Sequence, residues 1–256
     1  MNSGALPVLH QLRFSHYNEK ARWALDHKRL PHGRRSFVPG FHVVHAQRLW
    51  GGRTLPCLVL EGQAIGDSSA IIAELERRWQ ERPLYPEAAR AKGRALELQA
   101  KFDRDLGPPL RSMMFHFALP EPELCKRVMT QGVSGARRSV FNASFPVLRP
   151  VFQRVLRADA EGARRGREAV GAALDTIEAE LQPSGYLVGS SFTVADLAAA
   201  ALLFPLLRPP EFQYELPDRW PDGLEEIRAG VAEREGFRWA LGIWRRHRGE
   251  SAAVSG

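Results

Sequence analysis

Residues 53–76 read RTLPCLVLEGQAIGDSSAIIAELE, and this segment decides the fold. Residues 57–60 form an apolar run typical of a buried strand, and after a Glu-Gly turn residues 63–65 form a second short strand. Asp67 and Ser68 then open a helix whose apolar residues recur at helical spacing. The segment therefore predicts a β-hairpin that leads directly into a helix.

The residues before this segment add a β-α-β unit. Residues 8–14 alternate between apolar and polar side chains, as a half-buried strand does, and residues 17–28 show helical spacing. Residues 33–38 give a short second strand that a Pro-Gly pair ends. The order of these elements is compatible with a four-stranded mixed sheet flanked by helices.

Strand signals nearly vanish after residue 86, and helical periodicity replaces them. The predicted helices cover residues 89–106, 123–130, 147–158, 165–181, 194–207, 224–233 and 237–246. We interpret residues 107–122 and 205–221 as proline-rich loops. The predicted domains are residues 1–82, with every strand, and residues 88–248, all helical, followed by a flexible tail over residues 249–256.

The composition is that of a soluble protein with two compact domains. The chain has 256 residues, of which 44% are hydrophobic and 25% charged. No secretory signal pattern is present and no apolar run reaches the roughly 18 residues of a spanning helix, so we expect a cytoplasmic protein without a membrane span. Cys57 and Cys125 lie far apart and the histidines are scattered, so we expect neither a disulfide framework nor a metal site.

The basic charge raises the question of nucleic-acid binding. The formal net charge is +7 and the isoelectric point is about 9.9. The arginine pairs are spread along the chain, however, and each is mixed with acidic or apolar residues. This pattern favours solvated helix surfaces over a patch that neutralises phosphates, and we expect no nucleic-acid partner.

Two features of residues 53–76 suit a short peptide ligand with an acidic head. Pro56 precedes a strand, and a cis proline there turns the backbone N–H and C=O of Leu55 outward, where a peptide can pair with them. The helix start at Asp67 and Ser68 offers free N–H groups and a partial positive charge, which bind a carboxylate. Each feature alone has a simpler explanation, a turn and a helix cap.

Together these features resemble the glutathione-binding segment of the cytosolic glutathione transferases. Residues 186–203, YLVGSSFTVADLAAAALL, resemble the capped buried helix of that family's C-terminal domain, with Thr193 and Asp196 as a capping box. The resemblance implies an α/β thioredoxin-like N-terminal domain plus an all-α C-terminal domain, assembled as a cytoplasmic homodimer. It also implies glutathione as co-substrate and a small hydrophobic electrophile as the second substrate.

The resemblance implies specific roles around bound glutathione. Leu55 pairs through its backbone with the cysteinyl part, Pro56 supplies the cis bond, and Asp67 and Ser68 hold the γ-glutamyl end. In the members that use serine, a hydroxyl at the end of the first strand supports the glutathione thiolate, and the alignment puts Ser15 there. Ser15 is alternatively a simple cap of the first helix.

Two roles have several candidates. Tyr17 is the alternate catalytic hydroxyl, because tyrosine serves in other classes of the family. His45, Gln47 and Arg53 could each reach the glycyl carboxylate, since both Arg and His pair with carboxylates. Spacing does not choose among these three, and we favour Arg53 because it adjoins the Thr-Leu-Pro element.

The chain departs from the family in a long segment after residue 106. Its aromatic and methionine residues suit either a pocket for a bulky apolar co-substrate or ordinary helix packing. These residues are Met113, Met114, Phe115, His116, Phe117, Phe141, Phe145 and Phe152. Three functions stay open: a glutathione transferase, a catalytically idle glutathione-binding scaffold, and a nucleic-acid-associated protein with the same fold.

Overall fold

The computed structural model describes residues 5–254, and a mixed sheet with three helices comes first in the chain. These elements are β1 (Val8–Gln11), α1 (His16–His27), β2 (Gly33–Ser36), α2 (His42–Trp50), β3 (Cys57–Leu60), β4 (Gln63–Gly66) and α3 (Ser68–Arg78). The strand order is β2-β1-β3-β4, with β1 parallel to β2 and antiparallel to β3, and with β3 antiparallel to β4. The predicted thioredoxin-like domain is confirmed.

Helices make up the second half of the described chain. They are α4 (Ala89–Lys101), a π-helical turn (Phe102–Leu106), α5 (Gly107–Ala118), α6 (Pro122–Met129), α7 (Gly135–Val155), α8 (Ala160–Glu180), α9 (Val194–Leu207), α10 (Asp222–Val231) and α11 (Glu235–His247). This confirms the predicted all-α class of the C-terminal part. Within residues 5–254, no helix combines the length and the apolar character that crossing a membrane requires.

Helix α5 occupies most of the segment that the sequence predicts as a proline-rich loop over residues 107–122, so that prediction was wrong. Pro108 and Pro109 lie in the first turn of α5, where a missing backbone N–H breaks no intrahelical hydrogen bond. Helix α7 begins earlier than predicted and contains Pro146 and Pro150. Proline is therefore a poor guide to loops in this part of the chain, because packing against neighbouring helices outweighs it.

Helix α9 forms the common core of the two halves, since every one of its residues is buried. Its start is the predicted capping box: the Asp196 carboxylate accepts a hydrogen bond from the N–H of Thr193 at 2.8 Å. Helix α1 packs against α9, and Trp23 of α1 contacts Trp244 of α11 with ring centroids 4.6 Å apart. These contacts fix α1, and with it the loop after β1, against the helical half.

Buried charges tie the end of the chain to α1. Arg248 is fully buried and pairs with Glu19 at 2.5 Å and with Asp26 at 3.0 Å. The N–H of Ala252 also donates to Asp26, at 2.8 Å. Residues 249–254 belong to the segment predicted as a flexible tail, yet they are held against the first domain by such contacts, and the last two residues lie outside the described part.

Candidate functional site

A cleft of about 1590 Å³ lies between the sheet and the helical half. One side, the sheet wall, consists of residues 12–17, 39–43, 53–56 and 67–70, and the other, the helical wall, consists of lining residues from α4 to α7. The cleft exceeds the roughly 300–1,000 Å³ of common ligand pockets, so it has room for two substrates. The predicted site residues all line it; they are Ser15, Tyr17, Arg53, Leu55, Pro56, Asp67 and Ser68.

Ser15 follows β1 and stands at the N-cap position of α1 with an extended backbone. Its hydroxyl makes no capping hydrogen bond, and it has no other partner in the part of the chain that the structure describes. The first N–H groups of α1 and their partial positive charge lie beside it. The Ser15 hydroxyl is therefore free to donate a hydrogen bond to an anion in the cleft.

Tyr17, the alternate hydroxyl, is already engaged. Its phenol donates a hydrogen bond to the backbone carbonyl of Asp103 at 2.5 Å, which ties α1 to the π-helical turn. Burial, together with the nearby Asp103 carboxylate, raises the pKa of Tyr17 well above its usual value. This phenol is thus a weaker candidate donor than Ser15.

The peptide bond between Leu55 and Pro56 is cis, as predicted, but only half of the Leu55 backbone is available to a ligand. Its carbonyl accepts a hydrogen bond from Nδ2 of the fully buried Asn18 at 3.0 Å. Asn18 Oδ1 in turn accepts from the N–H of Leu12 at 3.1 Å. The N–H of Leu55 has no partner within residues 5–254. Asn18 thus holds the loop after β1 against Leu55; its position in the sequence suggests that it orients this loop, but its burial and its contact with Leu55 depend on the tertiary structure.

Asp67 and Ser68 begin α3. The Asp67 carboxylate caps the helix through one oxygen, Oδ1, which accepts from the N–H groups of Ser69 at 2.6 Å and Ala70 at 3.3 Å. Its second oxygen carries no hydrogen bond from any described residue. The Ser68 hydroxyl likewise has no partner among the described residues, although the residue is only 2% exposed. One carboxylate oxygen and one hydroxyl are therefore left for a ligand.

Of the three candidates for a carboxylate contact, only Arg53 lines the cleft. Arg53 is exposed at the rim. His45 lies outside the cleft, where its Nε2 is 2.7 Å from Nδ1 of His10 and its ring stacks on Phe37. Gln47 is exposed on α2 and also lies outside the cleft.

The helical wall uses some of the aromatic and methionine residues of the long segment and leaves others in the core. Met114, Phe115 and Phe152 line the cleft. Phe141 and Phe145 instead pack inside a cluster with Val38, Leu119, Cys125 and Phe152, which holds α6 and α7 to the end of β2. Both interpretations of this segment therefore apply, and Phe152 both lines the cleft and packs in the cluster.

The fold consists of a thioredoxin-like domain joined to a helical domain, with a cleft between them. Residues 9–83 match the family model of the glutathione S-transferase N-terminal domain, and residues 160–229 match that of the C-terminal domain. These matches cover more than half of the chain, which thus belongs to the glutathione S-transferase superfamily.

Solved structures agree on the fold. A glutathione S-transferase of Ceriporiopsis subvermispora in complex with glutathione aligns over 96% of this chain and 98% of its own, with a TM-score of 0.65 and 13% identity. One from Methylobacterium radiotolerans, in complex with glutathione sulfonate, aligns over 93% and 95%, with a TM-score of 0.54 and 20% identity. A beta-etherase from Sphingobium aligns over 92% and 98%, with a TM-score of 0.61 and 17% identity. A search of curated proteins gave no match.

Proposed function

We propose that this chain is a glutathione transferase in which Ser15 supports the glutathione thiolate for attack on a small apolar electrophile. The observation that carries the proposal is the uncommitted Ser15 hydroxyl at the start of α1, in a cleft that also contains the free N–H of Leu55. Complexes of family members with glutathione and glutathione sulfonate support glutathione as the ligand. The homodimer and the cytoplasmic location that the family resemblance implies stay predictions.

Glutathione would lie along the sheet wall. The N–H of Leu55 would donate to the cysteinyl backbone, while the free oxygen of Asp67 and the hydroxyl of Ser68 would hold the γ-glutamyl group. Arg53 at the rim would pair with the glycyl carboxylate. Each of these groups has unused hydrogen-bonding capacity, and this is what supports the assignment.

The chemistry requires the thiol of glutathione as a thiolate. A free thiol has a pKa of about 8.5, so most of it is protonated at neutral pH. A hydrogen bond from Ser15 and the positive end of α1 would both favour the thiolate, and the proton would leave to solvent. The thiolate sulfur then forms a bond to the electrophilic carbon, and the leaving group departs with its electron pair. The apolar helical wall supports an apolar electrophile.

The test compares Ser15→Ala with the wild-type chain. We expect turnover in a conjugation assay with an aryl halide to fall about tenfold to a thousandfold, because a donor to the developing charge is lost. The pKa of bound thiol, measured from the pH dependence of thiolate absorbance, should rise. The calorimetric affinity for glutathione should change little, because Leu55, Asp67 and Ser68 remain.

A matched control is Ser139→Ala, which removes a hydroxyl from α7 outside the cleft and should leave all three measurements unchanged. Full activity of Ser15→Ala combined with an inactive Tyr17→Phe would transfer the role to Tyr17. Retention of the wild-type chain on immobilised glutathione, without turnover of aryl halides, benzyl halides or aryl ethers, would favour the idle scaffold.

A further inference from the structure

Arg111 of α5 is a cation that faces the cleft without an acidic partner. Arg111 lies one helical turn after Gly107 on α5. Gly107 packs directly against Tyr17 of α1: a Cβ atom on residue 107 would lie 2.1 Å from the phenol oxygen of Tyr17. Arg111 lines the cleft, and its Nε is buried without a hydrogen bond. No carboxylate of residues 5–254 lies within 4.0 Å of its guanidinium. Arg111 is half-buried, and leaving its buried Nε–H without an acceptor is costly, which points to a function for it.

The other cations in or near the cleft have partners, apart from Arg53 at the rim, which is assigned above to the glycyl carboxylate. Lys20 pairs with Asp103 at 2.5 Å, and Arg104 pairs with Asp105 at 2.7 Å. Arg13 lies over the ring of Tyr214, 4.6 Å from its centroid. Arg111 differs from these three because neither a carboxylate nor an aromatic ring of the described residues lies against its guanidinium.

His16 lies beside Arg111 and is unpaired as well. The residue is 5% exposed, it lines the cleft, and its Nε2 is buried without a hydrogen-bond partner in the described chain. Burial, together with the Arg111 and Lys20 charges, lowers the pKa of His16 to about 3. The ring is therefore neutral at pH 7, and a neutral imidazole offers one N–H donor.

The surroundings of this pair indicate the kind of ligand. Met114 and Phe115 follow Arg111 on α5, and Val151, Phe152 and Val155 of α7 complete an apolar surface in the same cleft. A cation without an acidic partner beside this apolar surface suits an amphipathic anion, and the planar guanidinium binds a carboxylate through two parallel hydrogen bonds.

We propose that Arg111 and His16 bind the carboxylate of an apolar co-substrate, an assignment that rests on the transferase function proposed above. The carboxylate accepts hydrogen bonds from Arg111 and from the His16 N–H, and the apolar body lies against α5 and α7. The electrophilic substrates of this protein are accordingly aryl or alkyl compounds that carry a carboxylate, and their neutral analogues bind less well.

The experiment measures binding of two probes that contain no glutathione. Calorimetry with 6-phenylhexanoate and with 6-phenylhexan-1-ol is carried out on the full chain, with and without saturating glutathione. We expect the wild-type chain to bind the carboxylate about tenfold more tightly than the alcohol. Arg111→Met should abolish this preference without weakening the alcohol, and Arg111→Lys should keep part of it. Arg104→Met, which removes a paired cation from the rim, should keep all of it.

Equal affinity of the wild-type chain for the two probes would overturn the proposal, as would a preference that survives in Arg111→Met. A loss of glutathione affinity in Arg111→Met, with the preference unchanged, would place Arg111 in the glutathione half instead. If thermal melting shows that Arg111→Met does not fold, Arg111→Lys is compared with Arg104→Met instead. The proposal then requires a smaller preference for the carboxylate in Arg111→Lys than in Arg104→Met. Failure of the transferase proposal is seen separately, as absent turnover of the wild-type chain in the conjugation assays, with or without retention on immobilised glutathione.

Discussion

The sheet wall and the helical wall of the cleft are built by different means. On the sheet wall the groups that face the ligand belong largely to the backbone or to its caps: the N–H of Leu55, the start of α1 and the Asp67 cap of α3. On the helical wall they are side chains such as Phe115 and Phe152, placed by packing between helices. One wall depends on local hydrogen bonds and the other on a hydrophobic cluster.

This difference predicts how each wall tolerates change. Backbone geometry accepts few residue types at a given position, so the sheet wall has little freedom to vary. Packed apolar side chains accept substitutions of similar volume at small cost in stability. On the proposed function, we therefore expect the choice of co-substrate to change on the helical wall without loss of glutathione binding.

The largest effect is expected from Phe152→Ala on the helical wall. Phe152 is 8% exposed and packs against Phe115 and Phe141, so its removal leaves a cavity in the cluster that holds α7. We expect the free energy of unfolding to fall by about 3 kcal/mol, measured by urea denaturation, while the affinity for glutathione is kept.

The matched control is Val147→Ala, because Val147 lies on the same helix and is 72% exposed. Its effect on stability should stay within about 0.5 kcal/mol. If Phe152→Ala instead weakened glutathione binding as strongly as it weakened the fold, the two walls would not be independent.

The difference between local constraints and packing between distant segments also explains which features the sequence predicts. Pro56 and Asp67 were found because a strand-opening proline and a helix cap each constrain residue type at a fixed spacing. For Asn18 the sequence supports no more than a role in orienting the loop after β1, because its hydrogen bond to the Leu55 carbonyl joins segments 37 residues apart. The sequence does not indicate Arg111, because Pro108 and Pro109 predict a loop where the structure has α5.

The buried ion pairs near the end of the chain are another feature that the sequence does not predict. Arg248 meets Glu19 and Asp26 of α1 across more than two hundred residues of sequence. No periodicity or motif reports such a pairing, because it depends on how two distant elements pack. The contacts of Arg248 and Ala252 with Asp26 are therefore visible only in the structure.

A second, smaller effect is expected at His16, where the two walls meet. Its pKa is lowered to about 3 in the folded chain, whereas an unfolded histidine has a pKa of about 6.5. Between pH 3 and pH 6.5 the unfolded state binds a proton at His16 and the folded state does not, which favours unfolding. Stability is therefore full above pH 6.5 and decreases as the pH falls toward 3. At pH 5 the loss amounts to about 2 kcal/mol.

The measurement compares the wild-type chain with His16→Gln by urea denaturation at pH 7 and pH 5. The difference in stability between them should shift by about 2 kcal/mol in favour of the variant at pH 5. Burial lowers the pKa values of His10, His27 and His42 to about 4 as well, and their contributions cancel in the comparison. An unchanged difference would mean that His16 is protonated in the folded state.

The smallest effect is expected at the Asp67 cap of the sheet wall. Asp67→Ala removes the acceptor for two N–H groups of α3 and puts alanine at a φ of 76°, so stability should fall by about 1 kcal/mol. Asp67→Asn keeps a good cap and tolerates positive φ, so it should be nearly neutral. Ser134→Ala is the control, because Ser134 stands at the N-cap of α7 without a capping hydrogen bond.

Measuring the affinity for glutathione then distinguishes the role of Asp67 as a helix cap from its role as a ligand contact. Asp67 is exposed, so losing its charge against the γ-glutamyl ammonium should weaken glutathione by less than about 1 kcal/mol, or about fivefold. Asp67→Asn should therefore keep its stability and lose affinity, whereas Ser134→Ala should keep both. Should Asp67→Asn bind glutathione as tightly as the wild-type chain, Asp67 serves only as the cap of α3, and Ser68 and the N–H of Leu55 carry the contacts on this wall.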